Sequence, residues 1–273
     1  MIATMHETLV RKSGFAVPQP FVEIAARFAE RAGNIEEGLA LLENVLPLSI
    51  CHVVKDRYET MPIEFFPFLA TGGDGHCYGY VIHAPELGSD DYPMGSMVPG
   101  ERDGVIFAGN ATIAAIENMI SDMHSWPDGF DNIDLRWLAT IGLHPNQAKA
   151  QHARWHTGTK YARPSPPLPD GWRHVMTSDG IGVVAQASAF SEEGATALPE
   201  DASLKHYIAA ADAEVAAGHY GSALCLLKEA WWQWYFSPEA DIRQVKLRLV
   251  ETYRKLGKTL LADGMNGYYT WLS

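Results

Sequence analysis

The run Pro67-Phe68-Leu69-Ala70-Thr71-Gly72-Gly73-Asp74-Gly75-His76-Cys77-Tyr78-Gly79-Tyr80-Val81-Ile82 restricts the fold more than any other stretch of this chain. Two apolar segments flank a glycine cluster. Residues 64–70 are aromatic-rich and read as a strand. Residues 77–82 read as a second strand, with Gly79 marking a bulge or a close backbone approach. Gly72-Gly73-Asp74-Gly75 supplies the positive-φ positions of a tight hairpin, and Asp is tolerated there because its side chain bonds its own backbone. Other readings of the loop fail on missing partners. A phosphate loop needs Gly-Lys-Ser/Thr, and no Lys is present. A dinucleotide fingerprint needs a third Gly where Tyr78 stands, and a helix where the strand continues. A calcium loop needs alternating acids and a closing Glu.

Elements on either side follow from periodicity. Residues 1–18 read as a loose lead-in closed by Pro18 and Pro20. Residues 21–29 carry a helical repeat stopped by Gly33. Asn34 caps a second helix with Glu36 and Glu37 in its first turn and Leu39, Leu42 and Val45 on one face. Pro47 ends it, and 48–54 reads as a strand. Residues 84–102 form a long polar loop with Glu86, Asp90 and Asp91. Residues 104–108 are a buried strand. Asn110 is expected to cap a helix over 111–123 with Ile113, Ile116 and Ile120 as its stripe. Residues 134–141 are helical after the turn at 126–129, and 145–156 form another helix before a proline-rich connector at 164–169. A further hairpin spans 172–177 and 181–185 around Ser178-Asp179-Gly180; its relation to the first sheet is open. This order predicts an α+β fold with a mainly antiparallel, curled sheet and flanking helices.

The composition then changes. Residues 191–201 are small and polar, a linker between a domain over 1–190 and an all-α helical-hairpin region over 202–273. Gly218-x-Tyr220-x-x-Ala223-x-x-x-Leu227-x-x-Ala230 resembles the second helix of a tetratricopeptide unit. Gly257 and Ala262 repeat it in part, 39 residues after Gly218, longer than the usual period of about 34. The aromatic run 231–236 cannot face one core at 100° per residue. It is expected at the interface between the two parts, with self-association as the rival.

Composition narrows the function class. The net charge of −12 excludes nucleic acid as a direct partner and suits a basic protein. Three separated cysteines fit reduced thiols in a cytoplasmic protein. No leader and no apolar membrane span are expected. No catalytic constellation stands out. Cys77 and His76 are adjacent strand residues that point to opposite faces. His152 and His156 share a helix face, but Arg154 lies between them and no glutamate does. No metal or other cofactor is expected.

Leu46-Pro47, the Phe68-x-x-x-Gly72-Gly73-Asp74 hairpin, the Pro-rich acidic loop, and Gly104–Ala108 leading into a helix together resemble the SUKH superfamily over about residues 20–125. This group includes fungal cell-wall-synthesis regulators and bacterial immunity proteins. An aromatic-Asn-Gly-Gly motif usual in that family has no counterpart in 52–60. The resemblance implies a non-enzymatic, protein-binding role, as in immunity proteins that neutralise a cognate, often basic, toxin. The expected recognition residues are Thr71, Asp74, His76 and Tyr78 on the hairpin, Glu86, Asp90 and Asp91 in the loop, and Trp232 and Trp234 in the aromatic run. A hydrolase using the loop carboxylates with histidines, and a self-assembling structural protein that could form a homo-oligomer, are the rival readings.

Overall fold

The two strands of the expected hairpin pair at the centre of a five-stranded antiparallel sheet, with Gly72 and Gly75 at positive φ between them. In the computed structural model, which describes all residues except 73–74, 102, 125–132, 147–167, 193–197, 200–201, 236, 238–240 and 268–273, the strands run β1 (Ser49–Ile50), β2 (Phe65–Ala70), β3 (Cys77–Val81), β4 (Met94–Met97) and β5 (Ile106–Gly109). Their spatial order is their chain order, a meander. Gly79 marks a close backbone approach: a Cβ there would lie 2.1 Å from the Phe66 carbonyl oxygen. The register of β2 against β3 slips between Pro67 and Leu69 at the same place. Any side chain at 79 would push the two central strands apart. The tip, Gly73 and Asp74, lies outside the described residues.

Both faces of the sheet are covered, which explains strands that are apolar throughout rather than alternating. Phe66, Phe68, Tyr78 and Tyr80 face one core. The rings of Phe68 and Tyr80 stack at 5.2 Å and Phe15 stacks on Phe66 at 5.5 Å. Helices α1 (Ile2–Ser13), α2 (Gln19–Ala32), α3 (Ile35–Val45) and α4 (Thr112–Met123) contribute to that core. On the opposite face Phe65, Cys77, Val81, Met97 and Val105 pack with Ile181, and Trp232 closes over them.

Several sequence expectations are corrected. The lead-in is helix α1, which has no side-chain N-cap. It is held by burial of Met5 and Leu9, one turn apart. The strand at 48–54 shrinks to Ser49–Ile50. The loop 84–102 contains strand β4, whose Met-Gly-Ser-Met sequence has weak strand propensity and is fixed by pairing on both sides. Asn110 does not cap α4; the N-cap is Ala111, without a side-chain bond. Asp91 serves instead, with its carboxylate accepting from the Thr112 N–H at 3.0 Å. Ile113 is exposed, and the buried stripe of α4 is Ala115, Ile116, Met119 and Ile120. The Asn34 cap is as expected: its side chain accepts from the Glu37 N–H at 2.9 Å. Helix α5 (Leu135–Thr140) begins at an Asp134 cap.

The expected turn at 126–129, most of the 145–156 helix with His152 and His156, residues 164–167 of the connector, and most of the 191–201 linker lie outside the described residues. Strands β6 (Trp172–Val175) and β7 (Val183–Gln186) form a separate two-stranded sheet. The C-terminal region is helical as expected: α6 (Leu204–Ala217), α7 (Tyr220–Trp234), α8 (Arg243–Lys255) and α9 (Thr259–Met265). The fold is α+β.

Candidate functional site: a buried charge cluster beneath an aromatic pocket

The site starts from the turn between β6 and β7. The Val105 N–H donates to the Asp179 carbonyl at 2.8 Å, pinning the turn to the lead-in of β5. The approach is close enough that a Cβ on Gly180, which has φ +80°, would sit 2.5 Å from the Val105 carbonyl oxygen. The Asp179 side chain shapes its own turn. Its Oδ1 accepts from the Thr177 hydroxyl at 2.6 Å and the Ile181 N–H at 3.0 Å. That leaves Oδ2 facing α7.

Lys228, on the apolar face of α7, meets it. Its Nζ lies 3.1 Å from Asp179 Oδ2 and 2.8 Å from Glu64 Oε1, and donates to the Gly182 carbonyl at 3.0 Å. The three ammonium donors are therefore used. Lys228 is 5% exposed and Glu64, just before β2, is 2% exposed. Burial alone would lower the lysine pKa, but Asp179 and Glu64 together outweigh it and hold the ammonium above its ordinary value. Tyr253 of α8 donates its hydroxyl to Glu64 Oε1 at 2.6 Å. Burial, with Glu64 beside it, raises the Tyr253 pKa well above the ordinary phenol value. Two carboxylates thus share one ammonium, and the cluster retains one negative charge. Glu64 Oε2 is buried and has no hydrogen-bond partner among the described residues. An unpaired buried carboxylate oxygen costs free energy unless something donates to it.

A second group lies nearby. Lys258 Nζ, at the head of α9, donates to the His83 carbonyl at 2.9 Å and to Glu86 Oε1 at 2.8 Å. Burial lowers its pKa despite Glu86. The His83 and His174 rings meet edge to face at 5.0 Å, and both direct Nε2 to the Ile181 carbonyl, at 3.0 and 2.7 Å. A carbonyl accepts only, so each Nε2 carries the proton. Burial, and then the neighbouring His174, lowers the His83 pKa well below the ordinary value; burial also lowers that of His174.

A pocket of about 400 Å³ opens above the first cluster. Glu64, Asp179, Lys228 and Tyr253 belong to its lining, Trp231 and Trp232 form aromatic wall, and Lys246 of α8 also lines it. Its size is that of a small-molecule or side-chain site. Arg57, also in the lining, is committed to backbone: it donates to the Met61 carbonyl at 3.0 Å and makes short contacts to those of Pro62 and Phe65.

The structure scatters the sequence-predicted recognition residues. Thr71 and His76 close the hairpin, with the Thr71 N–H donating to the His76 carbonyl at 3.0 Å, and Tyr78 is buried. Asp74 is outside the described residues. Glu86 holds Lys258 and Asp91 caps α4, while Asp90 is exposed. Trp232 lines the pocket, and Trp234 packs on Tyr207 with ring centroids 5.2 Å apart. Of the aromatic run, Trp232 packs on the sheet-face cluster and Trp231 and Trp234 on the main core. Sequence reasoning missed Glu64, Asp179, Lys228 and Tyr253. A signal existed: Lys228 stands four residues from Leu224 and three from Trp231 on a helix face that is otherwise apolar.

Among the described residues no group of His, Cys, Asp and Glu is placed to hold a metal ion, and no helix is long and apolar enough to cross a membrane. No protein-family model matches this chain, and no curated protein matches it.

Proposed function

We propose that this chain is a non-catalytic protein-binding module, an immunity protein of the SUKH type that binds and neutralises a basic toxin. The observation that carries the reading is the pocket at the junction of sheet and helices, with aromatic walls and a buried carboxylate whose second oxygen has no partner among the described residues. Aromatic anchors around a desolvated polar group are the usual composition of a recognition hot spot. The net charge of −12 would steer a basic partner toward it.

Groups that would serve catalysis are otherwise engaged. Glu86 is paired with Lys258 and Asp91 with the α4 N-terminus. Burial pushes the Cys51 and Cys225 thiols up to about 12, far from a nucleophile's range. The half-buried Trp231, Trp232 and Trp234 already pack against the core, which leaves less aromatic surface for self-assembly.

The test is capture of partners from the native host on immobilised full-length chain, with a Glu59→Lys, Trp232→Ala double variant as control bait. Glu59 is an exposed pocket residue. A basic protein retained by the wild type, released by salt, and whose toxicity is suppressed by co-expression is the expected result. Equal retention by both baits, or no suppression of toxicity, would sink the reading.

A further inference from the structure

We infer that the chain closes this pocket itself: residues 268–273 turn back from Gly267 and seat an aromatic side chain against Trp231 and Trp232. The inference rests on the proposed function in one respect, that a partner using the pocket must then displace the segment. Four observations carry it. First, the segment starts in the pocket wall. Met265, Asn266 and Gly267 line the pocket, and Gly267 is the residue before Tyr268. Secondly, the chain is turned at that point. Gly267 has φ +84° and its N–H donates to the Gly264 carbonyl at 2.9 Å, a left-handed helix stop that takes the chain off the axis of α9. Thirdly, the segment reads Tyr-Tyr-Thr-Trp-Leu-Ser, with four large aromatic or aliphatic side chains in six and no Asp, Glu, Lys or Arg. Such a run is unfavourable in water and is driven to an apolar concavity within reach. Fourthly, the pocket suits a neutral guest. Met61, Trp231, Trp232, Leu249 and Met265 form apolar wall, and the charged lining groups balance, Arg57, Lys228 and Lys246 against Glu59, Glu64 and Asp179. A volume of about 400 Å³ holds one or two large side chains. Six extended residues reach about 20 Å, so the segment can cover the pocket with no long loop to close.

A photo-cross-linker in the full chain and a peptide added in trans test the inference. With p-benzoylphenylalanine in place of Trp271, mass spectrometry should find cross-links within the same chain to residues 54–64 or 231–253, in a yield independent of dilution. A fluorescein-labelled acetyl-Tyr-Tyr-Thr-Trp-Leu-Ser-amide peptide, titrated by anisotropy, should bind saturably to a Tyr268→Ala, Tyr269→Ala, Trp271→Ala, Leu272→Ala variant. It should bind about tenfold more weakly to the wild type, whose own segment competes at an effective concentration of about 1 mM. Adding Met265→Asp, which puts a charge into the apolar wall at the end of α9, should weaken peptide binding to the variant by about tenfold. Cross-links to other surfaces, or equal peptide affinity of variant and wild type, overturn the inference. So do cross-links between chains that vanish on dilution, which would identify a second copy as the occupant. A partner captured equally by wild type and variant would instead overturn that partner's use of the pocket and leave the self-occlusion standing.

Discussion

Replacing Lys228 by Met tests the account of the buried cluster most directly. The thioether has nearly the length of the lysine stem, so packing on α7 is kept and the ammonium is lost. Three hydrogen bonds go with it, to Glu64 Oε1, Asp179 Oδ2 and the Gly182 carbonyl. Two carboxylates remain, each with a side chain no more than 5% exposed. Removing one partner of a buried ion pair costs about 3–5 kcal/mol, because the stranded charge is neither hydrated nor paired. Near the transition that is a drop in melting temperature of about 10 °C for a chain of this size. Urea unfolding of both proteins at pH 7 measures the loss. Adding Glu64→Gln and Asp179→Asn to Lys228→Met should recover part of the loss at pH 7. A loss under about 1 kcal/mol at pH 7, or no recovery on adding the two amide substitutions, would refute the claim that Lys228 is the counter-charge of this cluster.

The neutral histidine pair predicts acid sensitivity. His83 and His174 resist protonation when folded but titrate near 6.5 when unfolded, so stability falls as pH drops below about 6.5, by up to about 1.4 kcal/mol per unit for each; His174→Gln should roughly halve that slope in urea melts. Cys225 is buried with its thiol pushed up to about 12, so at pH 8 its thiolate fraction is about a thousandfold below that of a free cysteine. Iodoacetamide followed by mass spectrometry should leave it unlabelled in native protein and label it rapidly in urea. Gly180→Ala should cost about 2 kcal/mol or more, from positive φ and from a Cβ 2.5 Å from the Val105 carbonyl oxygen, read as a lower urea midpoint.

What the sequence disclosed follows the range of the forces involved. The β2–β3 hairpin was legible because its glycines act on adjacent residues, and the α3 start because Asn34 bonds a neighbour three positions away. Helix α1 and strand β4 were not, because neither carries its own signal: α1 is held by burial of Met5 and Leu9, and β4 by ladders on both sides. The α4 cap was misplaced because its acceptor, Asp91, lies 21 residues upstream. The site was the least legible part. Glu64 is 164 residues from Lys228 and 189 from Tyr253, so nothing local records that they meet. The aromatic run alone pointed to the right place, because its crowding demanded a second surface to cover it.

The Ser178–Asp179–Gly180 turn has a consequence for how this chain can be cut. It is tied by backbone to the sheet at Val105 and by charge to the helices at Lys228. A fragment ending near residue 190 would keep Glu64 and Asp179 and discard both Lys228 and Tyr253, stranding two acids on an uncovered sheet face. Limited proteolysis or gene truncation should thus not release a stable N-terminal piece. Any recombination that grafted different helices onto this sheet would succeed only if the incoming helix carried a lysine to the same spot. The boundary visible in the composition is one that heredity could cross only with its ion pair in hand.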